Sequence, residues 1–170
     1  MKTPEPLFEG RRFRVEEAVQ ITPDGAEHVR EIIRHPGAVA IIPLLDDGRI
    51  CLLHNYRVAV DQTLVELPAG TLEPGEDPAE AARRELAEET GYRAGEIELL
   101  ATFYTSPGII DERMYLYEAT SLTPGSTNLD PGEDIQTLLT TRRQAMEMVR
   151  DGRILDGKTL LGLLFWEATE

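Results

Sequence analysis

The chain has 170 residues and only one cysteine. A single thiol makes neither an internal disulfide nor a cysteine-rich metal site, so the fold must rest on a packed core. Cys51 sits inside an apolar run, where it reads as a small buried hydrophobe. Long apolar stretches are also missing: none approaches the roughly 20 residues needed to cross a bilayer, so no membrane association is expected. Met1 to Gly10 lacks a basic region followed by an apolar core, which makes a soluble cytoplasmic protein the expectation. Positive charge is scarce, with 17 Lys+Arg against 31 Asp+Glu and a formal net charge of -14. Clustered Lys and Arg supply most non-specific affinity for phosphate backbones, so nucleic acid is excluded as the main partner. No repeat, low-complexity tract or long linker divides the sequence, and a single domain over residues 1–170 is expected. A chain of this length buries roughly 70% of its unfolded surface without a staple.

Gly10 to Val19 and Ala26 to His35 alternate as strands around the turn signal Thr22-Pro23-Asp24-Gly25, which predicts an N-terminal β-hairpin. Residues 1–36 thus form a β segment ahead of a core at 37–170. Ala38 to Leu45 and Ile50 to Tyr56 are β-branched apolar runs joined by Asp46-Asp47-Gly48-Arg49, a second hairpin signal, and both predict buried central strands. A short extended piece around Leu64 to Leu67 precedes Pro68-Ala69-Gly70. A helix is predicted over Pro78 to Thr90, with Asp77 as N-cap, Pro78 in the first position, Glu80 completing a capping-box-like pair and Gly91 ending it left-handed. Ile97 to Thr105, Arg113 to Thr120 and Asp134 to Leu139 read as strands, with a polar loop over Ser121 to Glu133. Thr141 and Gln144 make a capping box for a helix ending near Asp151-Gly152, and Thr159 to Ala168 reads as a packed helix. This order predicts an α/β fold, an α/β/α sandwich around a mixed sheet.

Within the helix from Pro78, Ala79, Ala82, Leu86 and Thr90 form the expected core stripe, and Glu85 and Glu89, one turn apart, border it. Arg84 is within reach of Glu80 and Glu88 on the same helix. Mg²⁺ and similar hard cations take oxygen ligands from one or two carboxylates plus substrate phosphates, which fits this edge. On the helix alone, a solvated charged face fits equally well.

The wider spacing decides between them. Gly70, five residues, Glu76, seven residues, then Arg84-Glu85-Leu86-Ala87-Glu88-Glu89-Thr90-Gly91-Tyr92 resembles the Nudix box G-x5-E-x7-R-E-U-x-E-E-x-G-U, where U is bulky and apolar. Every fixed position matches, and only Tyr92 is unusual in being aromatic. Chance agreement of this kind is on the order of once in a million chains. The chain is therefore identified as a member of the Nudix hydrolases, which hydrolyse a nucleoside diphosphate linked to another moiety with the help of divalent cations. The resemblance implies Glu85 and Glu89 as metal ligands with the carbonyl of Ala69, and Glu88 as a ligand or base. It implies Mg²⁺ as the cofactor, with Mn²⁺ or Zn²⁺ as alternatives.

Outside the box the chain resembles the ADP-ribose pyrophosphatase branch. Pro107 stands beyond Gly91 where that branch carries a proline, within the run Ser106 to Arg113. Glu66-Leu67-Pro68-Ala69-Gly70 and Asn55-Tyr56-Arg57 also match the branch. That resemblance implies substrate contacts from Arg30, Arg57, Glu66, Gly108 and Glu112, with Glu112 acting across a homodimer interface. The N-terminal segment would pair with a second subunit, and its Phe8, Arg11, Arg12, Phe13 and Arg14 would lie near adenine. Family enzymes also take a carboxylate from a loop after the box. Here Glu133 aligns best, in competition with Glu88 for the role of base. The expected reaction is hydrolysis of ADP-ribose to AMP and ribose 5-phosphate. Another nucleoside diphosphate sugar or dinucleotide is the alternative, and a non-catalytic nucleotide-binding module is a second one. His28, His35, His54 and Trp166 have no partners at ligand spacing and read as structural.

Overall fold

In the computed structural model, which describes residues 6–129, 131–132 and 134–169, the N-terminal residues build a sheet of their own. Phe8–Glu9 (β1), Arg14–Ile21 (β2) and Glu27–Arg34 (β3) lie in the order β1-β2-β3, all antiparallel. The hairpin turn forms as expected, with Gly25 at φ 85° and its N–H donating to the Thr22 carbonyl. The first long strand starts at Arg14 rather than Gly10, because the Gly10 N–H donates to the Phe13 carbonyl at 2.9 Å and closes a turn there. This sheet joins the rest through the Ile33 N–H to the Ile109 carbonyl at 2.8 Å and through Arg34 paired with Asp111 at 3.0 Å.

Ala38–Pro43 (β4) is buried at every residue. The expected turn at Asp46 to Arg49 is present, since the Leu45 N–H donates to the Arg49 carbonyl, but the two strands do not continue as a hairpin. Arg49–Arg57 (β5) and Gln62–Glu66 (β6) enter one antiparallel sheet in the order β12-β5-β6, where β12 is Ile135–Thr141. Ala69–Thr71 (β7) sits beside β4 in a second sheet, β7-β4-β10-β9, with Glu96–Tyr104 (β9) and Arg113–Thr120 (β10). The physical reason is that both edges of β4 are already used. It pairs with β7 antiparallel and with β10 parallel, so β5 finds its ladder elsewhere. Thr123–Pro124 (β11), inside what reads as a polar loop in the sequence, pairs with Tyr92–Arg93 (β8), which follows the helix ending at Thr90.

Pro78–Thr90 (α1) has the predicted bounds. Asp77 accepts from the N–H groups of Ala79 and Glu80, and Gly91 at φ 76° caps the end through its N–H to the Ala87 carbonyl. Its buried residues are Ala81, Ala82, Leu86, Glu89 and Thr90, so Ala82, Leu86 and Thr90 face the core as expected, Ala79 is only partly buried, and the stripe also takes in Ala81 and the Glu89 carboxylate. Arg142–Arg150 (α2) carries the predicted capping box, and Gly157–Thr169 (α3) closes the described chain.

Alternation along β4 sends Val39 and Ile41 into a core with Ala81, Ala82 and Leu86 of α1, and Ala38, Ala40 and Ile42 into a core with β5, α2 and α3. Each Ile or Leu so buried contributes roughly 1.5–3 kcal/mol against the entropy of ordering. The mixed sheet thus lies between helices, with α1 on one face and α3 on the other. Trp166 belongs to the second core and donates to Glu118 at 2.8 Å, a structural role. Among the described residues no helix is long and apolar enough to cross a membrane.

Candidate active site

The packing of α1 against β4 and β7 sets its carboxylates at the rim of a cavity of about 640 Å³. One wall is β7 and α1, with Ala69, Gly70, Arg84, Glu85, Glu88 and Glu89. The opposite wall combines Arg57 of β5 with Asp156, Gly157, Lys158 and Leu161 from the start of α3. Phe103, Thr105 and Met114 of the mixed sheet, Glu112, and Arg12 from the N-terminal segment complete it. Helix and sheet periodicities bring these residues together from nearly the whole length of the chain.

Gly70 is required by contact. A Cβ there would overlap the Glu85 carboxylate, so the absent side chain is the space in which Glu85 sits. Glu89 is only 5% exposed, and its Oε2 accepts the Ala69 N–H at 2.9 Å. A partly buried carboxylate held by a peptide N–H is fixed in orientation, and it fixes the Ala69 peptide in turn.

Arg84 organises the acidic wall. Its guanidinium donates to both oxygens of Glu76, at 2.9 and 3.0 Å, to Glu85 at 2.7 Å and to Glu88 at 3.1 Å. Bidentate pairing of this kind is geometrically specific. Hydrogen bonding to Glu76 raises the Arg84 pKa, and the same bond holds Glu76 below the usual carboxylate range. The expected pair with Glu88 is present, whereas Glu80 instead lies 3.8 Å from Arg83. Arg84 is drawn off Glu80 because Glu76 engages two of its nitrogens.

Glu66, expected among the substrate contacts, ends β6 and is not among the residues lining the cavity. It is 1% exposed and accepts from Arg57 Nε at 2.8 Å, Arg57 Nη2 at 2.6 Å and Lys158 Nζ at 2.5 Å. Burial alone would raise its pKa. Arg57 and Lys158 outweigh that and leave it lowered, while hydrogen bonding to Glu66 raises the pKa of Arg57. Glu112 accepts from the Thr105 hydroxyl at 2.7 Å and lines the cavity.

Arg30 lies on β3 with its Nε donating to Gln20 at 3.0 Å, and it is not among the residues lining the cavity, nor is Gly108. Glu133 lies outside the described residues. Lys158 is the residue that sequence reasoning missed. As one of only two lysines in the chain it was a signal, but its partner Glu66 stands 92 positions away.

The donor set suits a hard divalent cation. Glu85, Glu88 and Glu89 line the same cavity, the Gly70 gap admits Glu85, and among the described residues no thiol or imidazole lines it. Among the described residues no three acidic, His or Cys side chains form a closed cage. A cation bound here would need water and substrate oxygens to complete its coordination.

A family model for the NUDIX domain matches residues 34–157. A methanol dehydrogenase activator of Bacillus methanolicus is 38% identical over 168 residues, covering 98% of this chain and 91% of the relative. An ADP-ribose pyrophosphatase of Bacillus subtilis (strain 168) is 38% identical over 150 residues, covering 87% and 81%. A GDP-mannose pyrophosphatase of Enterobacter sp. (strain 638) is 34% identical, covering 81% and 77%. The crystal structure of an ADP compounds hydrolase matches with a TM-score of 0.84 at 24% identity, covering 98% of this chain and 91% of that one, which supports the fold.

Proposed function

The chain belongs to the NUDIX family as a hydrolase that acts on a pyrophosphate linkage, and from that premise we propose that its substrate is ADP-ribose, cleaved to AMP and ribose 5-phosphate. The observation that carries this reading is the joint presence of the α1 carboxylates and of Arg57 and Lys158 within one cavity of about 640 Å³, a size suited to a small-molecule ligand. The 38% identity to the B. subtilis ADP-ribose pyrophosphatase supports the choice of nucleotide.

Nudix hydrolases use divalent cations, and here Glu85, Glu89 and the Ala69 carbonyl would hold one, Mg²⁺ in this proposal. When bound, such an ion neutralises phosphate oxygens and lowers the pKa of coordinated water. The chain's own residues orient and discriminate. Arg57 presents guanidinium N–H groups to the diphosphate, Arg84 holds Glu85 and Glu88 in place, and Glu88 or Glu133 accepts the proton of the attacking water. Water adds to one phosphorus, the bridging P–O–P bond breaks, and its oxygen leaves on the other product, so no further reactant is needed. Arg30, Gly108 and Glu112 belong to the substrate side in this reading, with residues 1–36 pairing with a second subunit to form a homodimer in the cytoplasm.

The resemblance to a GDP-mannose pyrophosphatase supports a second reading, another nucleoside diphosphate sugar, because the acidic wall contacts only the pyrophosphate. The test is to incubate the protein with ADP-ribose and with GDP-mannose, with and without Mg²⁺, and to resolve products by chromatography. Mg²⁺-dependent AMP with the higher kcat/KM for ADP-ribose is expected. A higher value for GDP-mannose would overturn the substrate assignment. Glu85→Gln should lower kcat by at least about 100-fold with an unchanged circular dichroism spectrum, and full activity would remove Glu85 from its role.

A further inference from the structure

Lys158, at the start of α3, lines the cavity together with Arg57 of β5. Lys158 is half of a paired arrangement. Its ammonium donates to Glu66 at 2.5 Å and lies 3.0 Å from Asp156 as an ion pair, and its side chain is 15% exposed. Arg57 grips the same Glu66 from the other side. A single buried carboxylate therefore holds two cations at the cavity surface. Asp156 returns one negative charge, but its Oδ2 also accepts the N–H and hydroxyl of Thr159, at 3.0 and 2.6 Å, in capping α3.

Donor counting shows what is left over. An ammonium has three N–H groups, of which Glu66 takes one while Asp156 pairs with the charge. A guanidinium has five, of which Glu66 takes two. Both side chains line the cavity with donors to spare, whereas Arg84 is shared among Glu76, Glu85 and Glu88. A diphosphate brought against three carboxylates needs positive charge, and Lys158 with Arg57 supplies it from α3 and β5, alongside Arg12 of the N-terminal segment.

We propose that Lys158 is a substrate-binding residue for the diphosphate, set in place with Arg57 by the buried positioning residue Glu66. The proposal rests on the pyrophosphatase reading, since only an anionic ligand makes use of the pair. Lys158 fixes the ligand's oxygens on the α3 side, and the carboxylates of α1 face them from the other.

The experiment is calorimetric binding, with Mg²⁺ present, of ADP-ribose whose bridging oxygen is replaced by a methylene so that it is not hydrolysed, to the wild type, Lys158→Met, Lys158→Arg and Asp156→Asn. Loss of a charge-assisted hydrogen bond should weaken Kd about tenfold in Lys158→Met, which keeps the apolar stem. Lys158→Arg should recover most of that loss. Asp156→Asn keeps a competent helix cap and removes a carboxylate competing for the ammonium, so it should tighten Kd about twofold to threefold. A merely structural ion pair predicts weakening in both Lys158→Met and Asp156→Asn, and that result would overturn the proposal, as would an unchanged Kd in Lys158→Met. Should Lys158→Met fail to fold, opposite signs for Lys158→Arg and Asp156→Asn relative to wild type carry the same decision. A wild type that binds the methylene analogue of GDP-mannose but not that of ADP-ribose refutes the substrate assignment alone, and the same variants then decide the proposal with the GDP-mannose analogue. A wild type that binds neither overturns both.

Discussion

Replacing Gly70 by alanine places one methyl group where the Glu85 carboxylate now lies. The backbone cannot yield easily, because Gly70 pairs with Val39 in the ladder between β7 and β4, and Val39 is fully buried. Nor can α1 withdraw, since Ala81, Ala82 and Leu86 are fully buried against the sheet. The Glu85 side chain must therefore swing aside, and the 2.7 Å bond from Arg84 is lost. A charge-assisted hydrogen bond at a mostly buried site contributes about 1–2 kcal/mol, which in a domain of this size lowers Tm by about 2–8 °C. The catalytic effect is larger. Moving a catalytic group by about an ångström costs on the order of 100-fold, so kcat/KM should fall by at least that factor while the far-ultraviolet spectrum is retained. The assay is AMP release from ADP-ribose alongside a thermal melt of the same preparation. Activity within threefold of wild type would refute the reasoning, because it would mean that the position of Glu85 over Gly70 is not needed. A melt lowered by more than about 15 °C would also refute it, by showing that the methyl group disrupts the core rather than the carboxylate.

Other expectations follow from single contacts. Gly91→Ala forces an alanine to φ 76° with its Cβ about 3.1 Å from the Gly125 carbonyl oxygen, and it should cost about 1–2 kcal/mol in urea unfolding, with an unchanged midpoint refuting the strain. Burial pushes the Cys51 thiol up to about 12, so the native protein at pH 8 should resist iodoacetamide and react only when unfolded; rapid stoichiometric alkylation of the native state would contradict this. Glu66 and Glu76 both have pKa values lowered in the folded state from an ordinary 4.5. Their ion pairs are thus fully present above that value. As pH falls below about 4.5 the unfolded chain takes up protons that the native state resists, so stability declines until the folded pKa values are passed. Chemical denaturation between pH 6 and 3 should show that decline, which Glu66→Gln should diminish, and a flat profile would refute it.

Some of this was legible because it is local. Pro78 to Thr90 is bounded by an Asp cap, a first-turn proline and a left-handed glycine, all within a few residues, and α2 is likewise announced by Thr141 and Gln144. The acidic wall was legible for the same reason, since Glu85, Glu88 and Glu89 share one helix and Gly70 lies just upstream. The roles of Arg57 and Glu66 were only half legible, because whether a carboxylate after a strand is solvated or buried depends on what packs over it.

Local rules thus settle the set of elements and one wall of the cavity, because helix caps, turn chemistry and one-turn spacing act over a few residues. Tertiary structure decided the rest. The parting of β4 from β5 depends on β7 and β10 occupying both edges of β4, a competition among strands far apart in the chain. The cationic wall depends on α3 returning so that Lys158 meets Glu66 across 92 positions. Such a meeting is driven by burial of Leu163 and Trp166 in the shared core, and hydrophobic burial is non-directional, so no local spacing records which residues it brings together.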